Sequence, residues 1–414
     1  MSLKPKSEFS KNVLTLMTGT TIAQAIPIAI SPILTRIYTP EDFGILALYM
    51  AIVSFISIII TARYEMAVVL PKSDEEAINI VALSLLITLT LVTAVSLVIL
   101  IYKDELLHLF HIESVGNLLY LVPLSLFLAG IIQTFTYWSN RKEYFQTMSS
   151  SQIAQSVSIG SFQPLFGYLS VNGGLIFGNI VGRMFGAFFF VSKFIKTDRE
   201  ILRSIEVRSI RKQMKKYKDF PLVNSLHAFS DILRTSGAVM LISTFFGTAV
   251  LGFYALSLRV LQVPIGIVGS ALGQVLYRKF SHLHNEEEAL YPHVKKVMFR
   301  LLLIAIPAFT ILFFIAPDLF SFVFGQEWRV AGEYSQILIP YLFMNFLLSP
   351  ISQIPIILGK QKEIFYISLF GNVSYLGIIA LFHSLSITYL LGLLSLFMVL
   401  YYTYVFYWFY KRLQ

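Results

Sequence analysis

Again and again along this chain, apolar residues run on for about the twenty positions that a bilayer crossing takes before a charge or a turn interrupts them. Such runs restrict the fold severely, because hydrocarbon offers no partner to a backbone N–H or C=O group and spanning segments must satisfy their own. Only 13% of the residues are charged and 56% are hydrophobic, whereas soluble domains carry about a quarter charged residues. So few charges could not cover the surface of a soluble protein, and the apolar excess needs lipid as its solvent. The sequence therefore predicts an all-α integral membrane protein. It has no cysteine, which removes disulfides, zinc thiolates, thiolate nucleophiles and iron–sulfur clusters together. The opening MSLKPKSEFSKN is polar, and the apolar run behind it continues far past a signal-peptide core, so the first helix is expected to be retained.

Breaks between runs place spans near 12–36, 44–70, 77–102, 118–140, 146–170 and 174–195, and again near 221–246, 248–276, 294–323, 332–358, 363–383 and 386–410. Twelve helices in two six-helix bundles are expected: an N-terminal lobe over 1–195, a basic linker over 196–220 and a C-terminal lobe over 221–414. Lysine and arginine set the orientation, since positive segments resist translocation. With the N-terminus inside, one alternating set of loops collects Lys4, Lys6, Lys72, Arg141, Lys142, the basic run from Lys193 to Lys218, Arg278, Lys279, Lys360, Lys411 and Arg412. The other set holds only Arg36, Lys103 and Arg329. Both termini are predicted to be cytoplasmic. The net charge of +9 is on this reading a topology signal, and no nucleic-acid partner is expected.

The halves echo one another. Arg141-Lys142-Glu143-Tyr144-Phe145 follows span four and Gln361-Lys362-Glu363-Ile364-Phe365 follows span ten; Gln133 falls on Gln353 at the same offset. Phe43-Gly44-Ile45-Leu46-Ala47-Leu48-Tyr49 matches Leu251-Gly252-Phe253-Tyr254-Ala255-Leu256-Ser257, and both lead to Glu-Glu-Ala. Because six helices preserve direction, the halves read as parallel copies that can rock about a shared midplane site. Pro27, Pro32, Pro264, Pro307, Pro317, Pro340, Pro350 and Pro355 fall within spans and predict bends or breaks. Gly178, Gly182 and Gly186 form a small-residue face for close helix packing. Span five is rich in serine and glutamine from Ser149 to Gln163, as helix-to-helix glue or as the lining of a wet path. His227 and His383 are isolated, and no metal site is expected.

Charges inside spans carry the functional signal. Asp231 and Arg234 lie near the centre of span seven, Arg183 near the centre of span six, and Arg259 outward of centre in span eight. Each costs about 2.5 to 3.5 kcal/mol at mid-helix, roughly 10 to 14 kcal/mol for the four. Asp231 and Arg234, three residues apart, share a helix face and either form a local ion pair or belong to a site. One aspartate cannot neutralise Arg234, Arg259 and the Arg63 of span two, so a cationic excess remains. Arg63 beside Glu65 has a second reading as an interfacial residue if span two ends at Ala62; Arg36 has one as an outer cap, and Arg183 as a packing partner for span five. A cationic cavity between lobes suits an anionic head group, phosphate above all, because guanidinium forks bind its oxygens in pairs. An inside-negative potential favours outward movement of such a group by about 2.3 kcal/mol per charge per 100 mV.

The run LTRIYTPEDFGILALYMAIVSFISIIITARYEMAVVLPKSDEEA, together with Lys218-Asp219-Phe220-Pro221-Leu222, resembles the oligosaccharide flippases, the Wzx-type polysaccharide exporters of the MOP superfamily. The resemblance implies a MATE-like fold and the turning of an undecaprenyl-diphosphate-linked oligosaccharide to the outer leaflet of a bacterial cytoplasmic membrane. It further implies head-group roles for Arg63, Arg234 and Arg259, with Arg36 near the outer mouth. For Asp231 and Glu65 it implies counterion roles or coupling to a proton or sodium ion. No other cofactor is expected; partners would be the lipid-linked oligosaccharide, membrane lipids and other polysaccharide assembly proteins. The rivals are a drug and cation exporter of the same fold, which would want an acidic cavity, and a membrane polysaccharide polymerase or ligase. The outward loops are short for an enzyme of that kind, and neither a nucleotide motif nor a glycine-rich phosphate loop occurs in the sequence.

Overall fold

The structure is a computed structural model that describes residues 8–221 and 225–414. Lys4, Lys6 and Leu222 lie outside the described residues, as do the side chains of Lys11, His227 and Pro264. The elements are helical in the order α1 Glu8–Ile37, α2 Pro40–Ser57, α3 Asp74–Leu109, α4 Val122–Arg141, α5 Phe145–Tyr168, α6 Gly174–Thr197, α7 Val207–Lys216, α8 Ser225–Phe246, α9 Thr248–Asn285, α10 Leu290–Phe324, α11 Arg329–Leu348, α12 Ile354–Ile357, α13 Gln361–Leu381 and α14 Ile387–Leu413. Among the described residues, nine helical segments are long and apolar enough to cross a membrane. Helices also occupy the three other predicted spans, as α5, α8 and α9.

The described residues fall into two compact units. One comprises Met1–Tyr38 and Ile45–Met240, the other Thr39–Gly44 and Leu241–Gln414. In the first, α5 packs along both α1 and α6, and Ser151, Gln152 and Gln163 of its polar set tie it to them. Ser151 Oγ donates to Gly186 O at 2.8 Å, Gln163 Nε2 to Leu175 O at 2.8 Å, and Thr20 Oγ1 to Gln152 Oε1 at 2.7 Å. The predicted small-residue face is the α6 side of this contact: a Cβ on Gly182 would stand 2.8 Å from Gln155 O. Such proximity lets backbone and side-chain polar groups pair away from lipid.

At one end of this unit the chain between α6 and α8 is fastened down. Trp138 Nε1 donates to Asp198 Oδ2 at 3.0 Å, and Arg141 and Lys142 clasp Asp74 at 2.8 and 2.7 Å. The hydrogen bond to Asp74 holds the Lys142 ammonium above the usual lysine range. Beneath them lies a core that includes Tyr64, Ile78, Ile80, Trp138, Phe190 and Phe194. In the second unit α11 packs against α9, α10 and α14, and Phe280, Ile351, Ile354, Val405 and Phe409 are among its buried core.

Pro27, Pro32, Pro307, Pro317 and Pro340 sit inside continuous helices, whereas span ten does break, at Leu348, and resumes through short turns at Pro350 and Pro355. Ser31 Oγ donates back to Pro27 O at 2.6 Å, an i to i−4 bond that satisfies the hydroxyl within its own helix.

Candidate functional site

Span two corrects the expected single helix over 44–70. The helix α2 ends at Ser57, the chain turns through residues 58–63, and a 3₁₀ segment covers Tyr64–Val69. Ile58-Ile59-Ile60-Thr61 is β-branched throughout, a run with low helix propensity. The freed Ile60 carbonyl accepts from Thr88 Oγ1 at 3.1 Å. Ala62 and Arg63 then both adopt left-handed backbone, with φ of 47° and 60°. This turn delivers Glu65 into the interior, 1% exposed, where Thr61 Oγ1 donates to its Oε2. Arg63 Nη1 stands 3.9 Å from Glu65 Oε1, and Tyr137 of α4 is within electrostatic reach of both. Arg63 Nε is buried and has no hydrogen-bond acceptor among the described residues. The corresponding helix of the second half, α9, runs unbroken from Thr248 to Asn285.

Arg183 is half-buried on α6. Its Nε donates to Asn179 Oδ1 at 3.1 Å, one turn back on the same helix. Tyr49 of α2 lies within electrostatic reach of it and shares a 2.6 Å hydrogen bond with Ser125 of α4. On α8, Asp231 is exposed and Arg234 half-buried. The residue before Arg234, Leu233, lines a cavity of about 460 Å³ with Gly237 and Met240 of the same helix, Ile52 and Phe55 of α2, and Val95 of α3. Its lining residues are all apolar, so it suits hydrocarbon and excludes ions and water.

Of the predicted residues, the structure brings Arg63 to Glu65. Arg36, Arg63, Arg183, Asp231 and Arg234 belong to the first unit and Arg259 to the second. Arg36 is exposed, and its Nη1 donates to Pro32 O on its own helix. Arg259 is half-buried on α9. The sequence did not single out Thr61, Tyr137, Tyr49 or Asn179 as partners of these charges. Asn179 stands four positions before Arg183 and Thr61 four before Glu65, whereas Tyr137 and Tyr49 come from separate helices. Chemically, the set offers permanently cationic planar groups carried by apolar helices, suited to phosphate oxygens.

Residues 33–333 match the model of a family described as polysaccharide biosynthesis protein. The chain belongs to that family. It is 24% identical over 339 residues to the uncharacterized membrane protein in the cps region of Klebsiella pneumoniae, covering 80% of this chain and 67% of that one. It is 21% identical over 294 residues to the teichuronic acid biosynthesis protein TuaB of Bacillus subtilis (strain 168), covering 69% of this chain and 58% of TuaB. Among solved structures, the lipid II flippase MurJ in an inward closed conformation superposes with a TM-score of 0.78 at 12% identity, over 95% of this chain and 87% of that one. An inward-facing multidrug resistance MATE family transporter of the MOP superfamily does so with a TM-score of 0.73 at 16% identity, over 94% of each chain. The family member described here therefore has the MATE-like fold and is a multi-pass membrane protein.

Proposed function

We propose that this protein is a flippase of surface polysaccharide biosynthesis, turning a polyprenyl-diphosphate-linked oligosaccharide from the cytoplasmic to the outer leaflet of a bacterial cytoplasmic membrane. The observation that carries this reading is the placement of half-buried Arg183, Arg234 and Arg259 on long apolar helices, an arrangement costly enough to require a purpose. Arg63, Arg234 and Arg259 bind the diphosphate, with Arg36 and Arg183 as accessory cations. Asp231 and Glu65 serve as counterions or as the groups that exchange a coupling proton or sodium ion. All twelve helices cross the bilayer in two six-helix lobes joined by the basic 196–220 segment, with both termini cytoplasmic. Membership of a polysaccharide biosynthesis family and a fold shared with a lipid II flippase support the reading. A cation exporter of the same fold would carry its excess charge with the opposite sign, and the short outward loops speak against an enzyme acting on the same carrier.

A leaflet-resolved assay of lipid-linked oligosaccharide tests it, in cells with the protein, without it, and with Arg234→Ala or Arg259→Ala. Glycan should stay at the inner leaflet without the protein and with either variant, while the variants remain inserted at wild-type levels. Outward glycan in the cells lacking the protein would refute the proposal; wild-type export by both variants would refute the arginine site.

A further inference from the structure

The chain between α6 and α8 is no free tether. Asn79 Nδ2 donates to Ser204 O at 2.8 Å and its Oδ1 accepts from Glu206 N at 2.9 Å; Tyr64 OH donates to Met214 O at 3.1 Å. Lys212 and Lys216 each reach Glu76 at 3.5 Å. These contacts pin α7 beside the first turn of α3, at the end of the unit where α4 and α6 terminate. At the helical repeat, Ile210 and Gln213 share the inward face, and Gln213 is wholly buried. Arg208, Arg211 and Lys215 project on the other side, all exposed, with no ion pair among the described residues. Between these faces Val207 is 69% exposed and Met214 41%, and the preceding turn adds Leu202 at 42% and Ile205 at 37%. An unpaired cationic face beside an open apolar rim, level with the ends of membrane helices, is the pattern of a helix that lies in a bilayer interface.

We propose that α7 is a membrane-surface element that binds anionic phospholipid head groups, with Arg208, Arg211 and Lys215 at the phosphate level and Val207 and Met214 in the acyl boundary. Charge complementarity selects the anionic lipid, since each basic side chain gains from a negative surface potential and loses it as salt screens the field. An acidic protein partner would meet the cationic face but would leave the apolar rim in water. The proposal needs only that the protein is embedded in a bilayer, and its test does not depend on which substrate is moved.

The absence of cysteine makes the test direct. In the full chain, Val207→Cys carries an environment-sensitive fluorophore in phosphatidylcholine vesicles with and without phosphatidylglycerol. Blue-shifted emission and quenching by a bilayer-embedded quencher are expected only with phosphatidylglycerol, are lost at high salt, and are lost in Arg208→Gln/Arg211→Gln/Lys215→Gln. That triple variant leaves Lys212, Lys216 and their contacts with Glu76 in place. Should it fail to fold, the salt titration of the otherwise unaltered protein still decides. Equal emission in the two lipids, or a phosphatidylglycerol response that survives salt or the triple variant, overturns the proposal; a shift produced only by added soluble protein would assign the face to a protein partner and overturn it as well.

Discussion

Gly44 and Gly252 meet reciprocally where α2 and α9 begin. A Cβ on Gly44 would lie 1.8 Å from Thr248 O, and one on Gly252 would lie 1.8 Å from Pro40 O. Each glycine thus faces the carbonyl four residues before the other. Both belong to the unit that includes Thr39–Gly44 and Leu241–Gln414, and they are the glycines that the sequence repeat aligns.

Because the atoms in the way are backbone, neither site can yield cheaply. Gly44→Ala and Gly252→Ala should each destabilise the protein by about 1 to 3 kcal/mol, read as a lower melting temperature in detergent. The double variant should cost clearly less than the sum, because either methyl alone parts the helices. Additive losses would mean that the two positions act separately.

Arg63 is the near counterion of a buried carboxylate. Arg63→Ala should cost about 1 to 3 kcal/mol by leaving Glu65 desolvated and uncompensated. Adding Glu65→Gln, which keeps the hydrogen bond from Thr61 in reach, should recover part of the loss. Thermal unfolding of the two single variants and the double provides the cycle.

At Ala62 the left-handed backbone costs a residue with a Cβ about 1 to 2 kcal/mol, and glycine gives back part of the relief as entropy. Ala62→Gly should therefore raise stability slightly, by about 0.5 kcal/mol. A fall in melting temperature would show that the methyl packs more usefully than the turn strains.

Gln213 is buried, and neither its Oε1 nor its Nε2 has a hydrogen-bond partner among the described residues. Gln213→Met keeps the shape and removes the unsatisfied amide, so it should stabilise the protein by about 1 kcal/mol or more. Destabilisation would mean that a buried water bridges this amide.

Asp231 is exposed whereas Glu65 is buried, and of the two carboxylates proposed to exchange a coupling ion it is the one to test first. Asp231→Asn should change the proton or sodium dependence of transport in vesicles. Unchanged ion dependence would leave Asp231 a packing counterion.

Hydropathy, charge and repetition are local or cumulative along the chain, and for that reason the helices, the family and the alignment of Gly44 with Gly252 were legible. The apolar runs announced α1, α3, α4, α6, α10, α13 and α14; the repeat aligned Gly44 with Gly252, and only the structure shows each against the other's helix. Arg63 and Glu65 could be read as charges out of place, yet only the tertiary structure decided that α2 stops at Ser57 while its repeat α9 continues. A β-branched run tolerates either outcome, and here Thr88, Thr61 and Tyr137, from the turn and two other helices, surround the polar groups that the break exposes. Likewise the basic segment after α6 was visible as charge, but its attachment to Asn79, Glu76 and Tyr64 depends on side chains more than a hundred positions away, which no local pattern encodes. Sequence set which segments seek lipid; the packing of distant polar side chains set where those segments bend and what they hold.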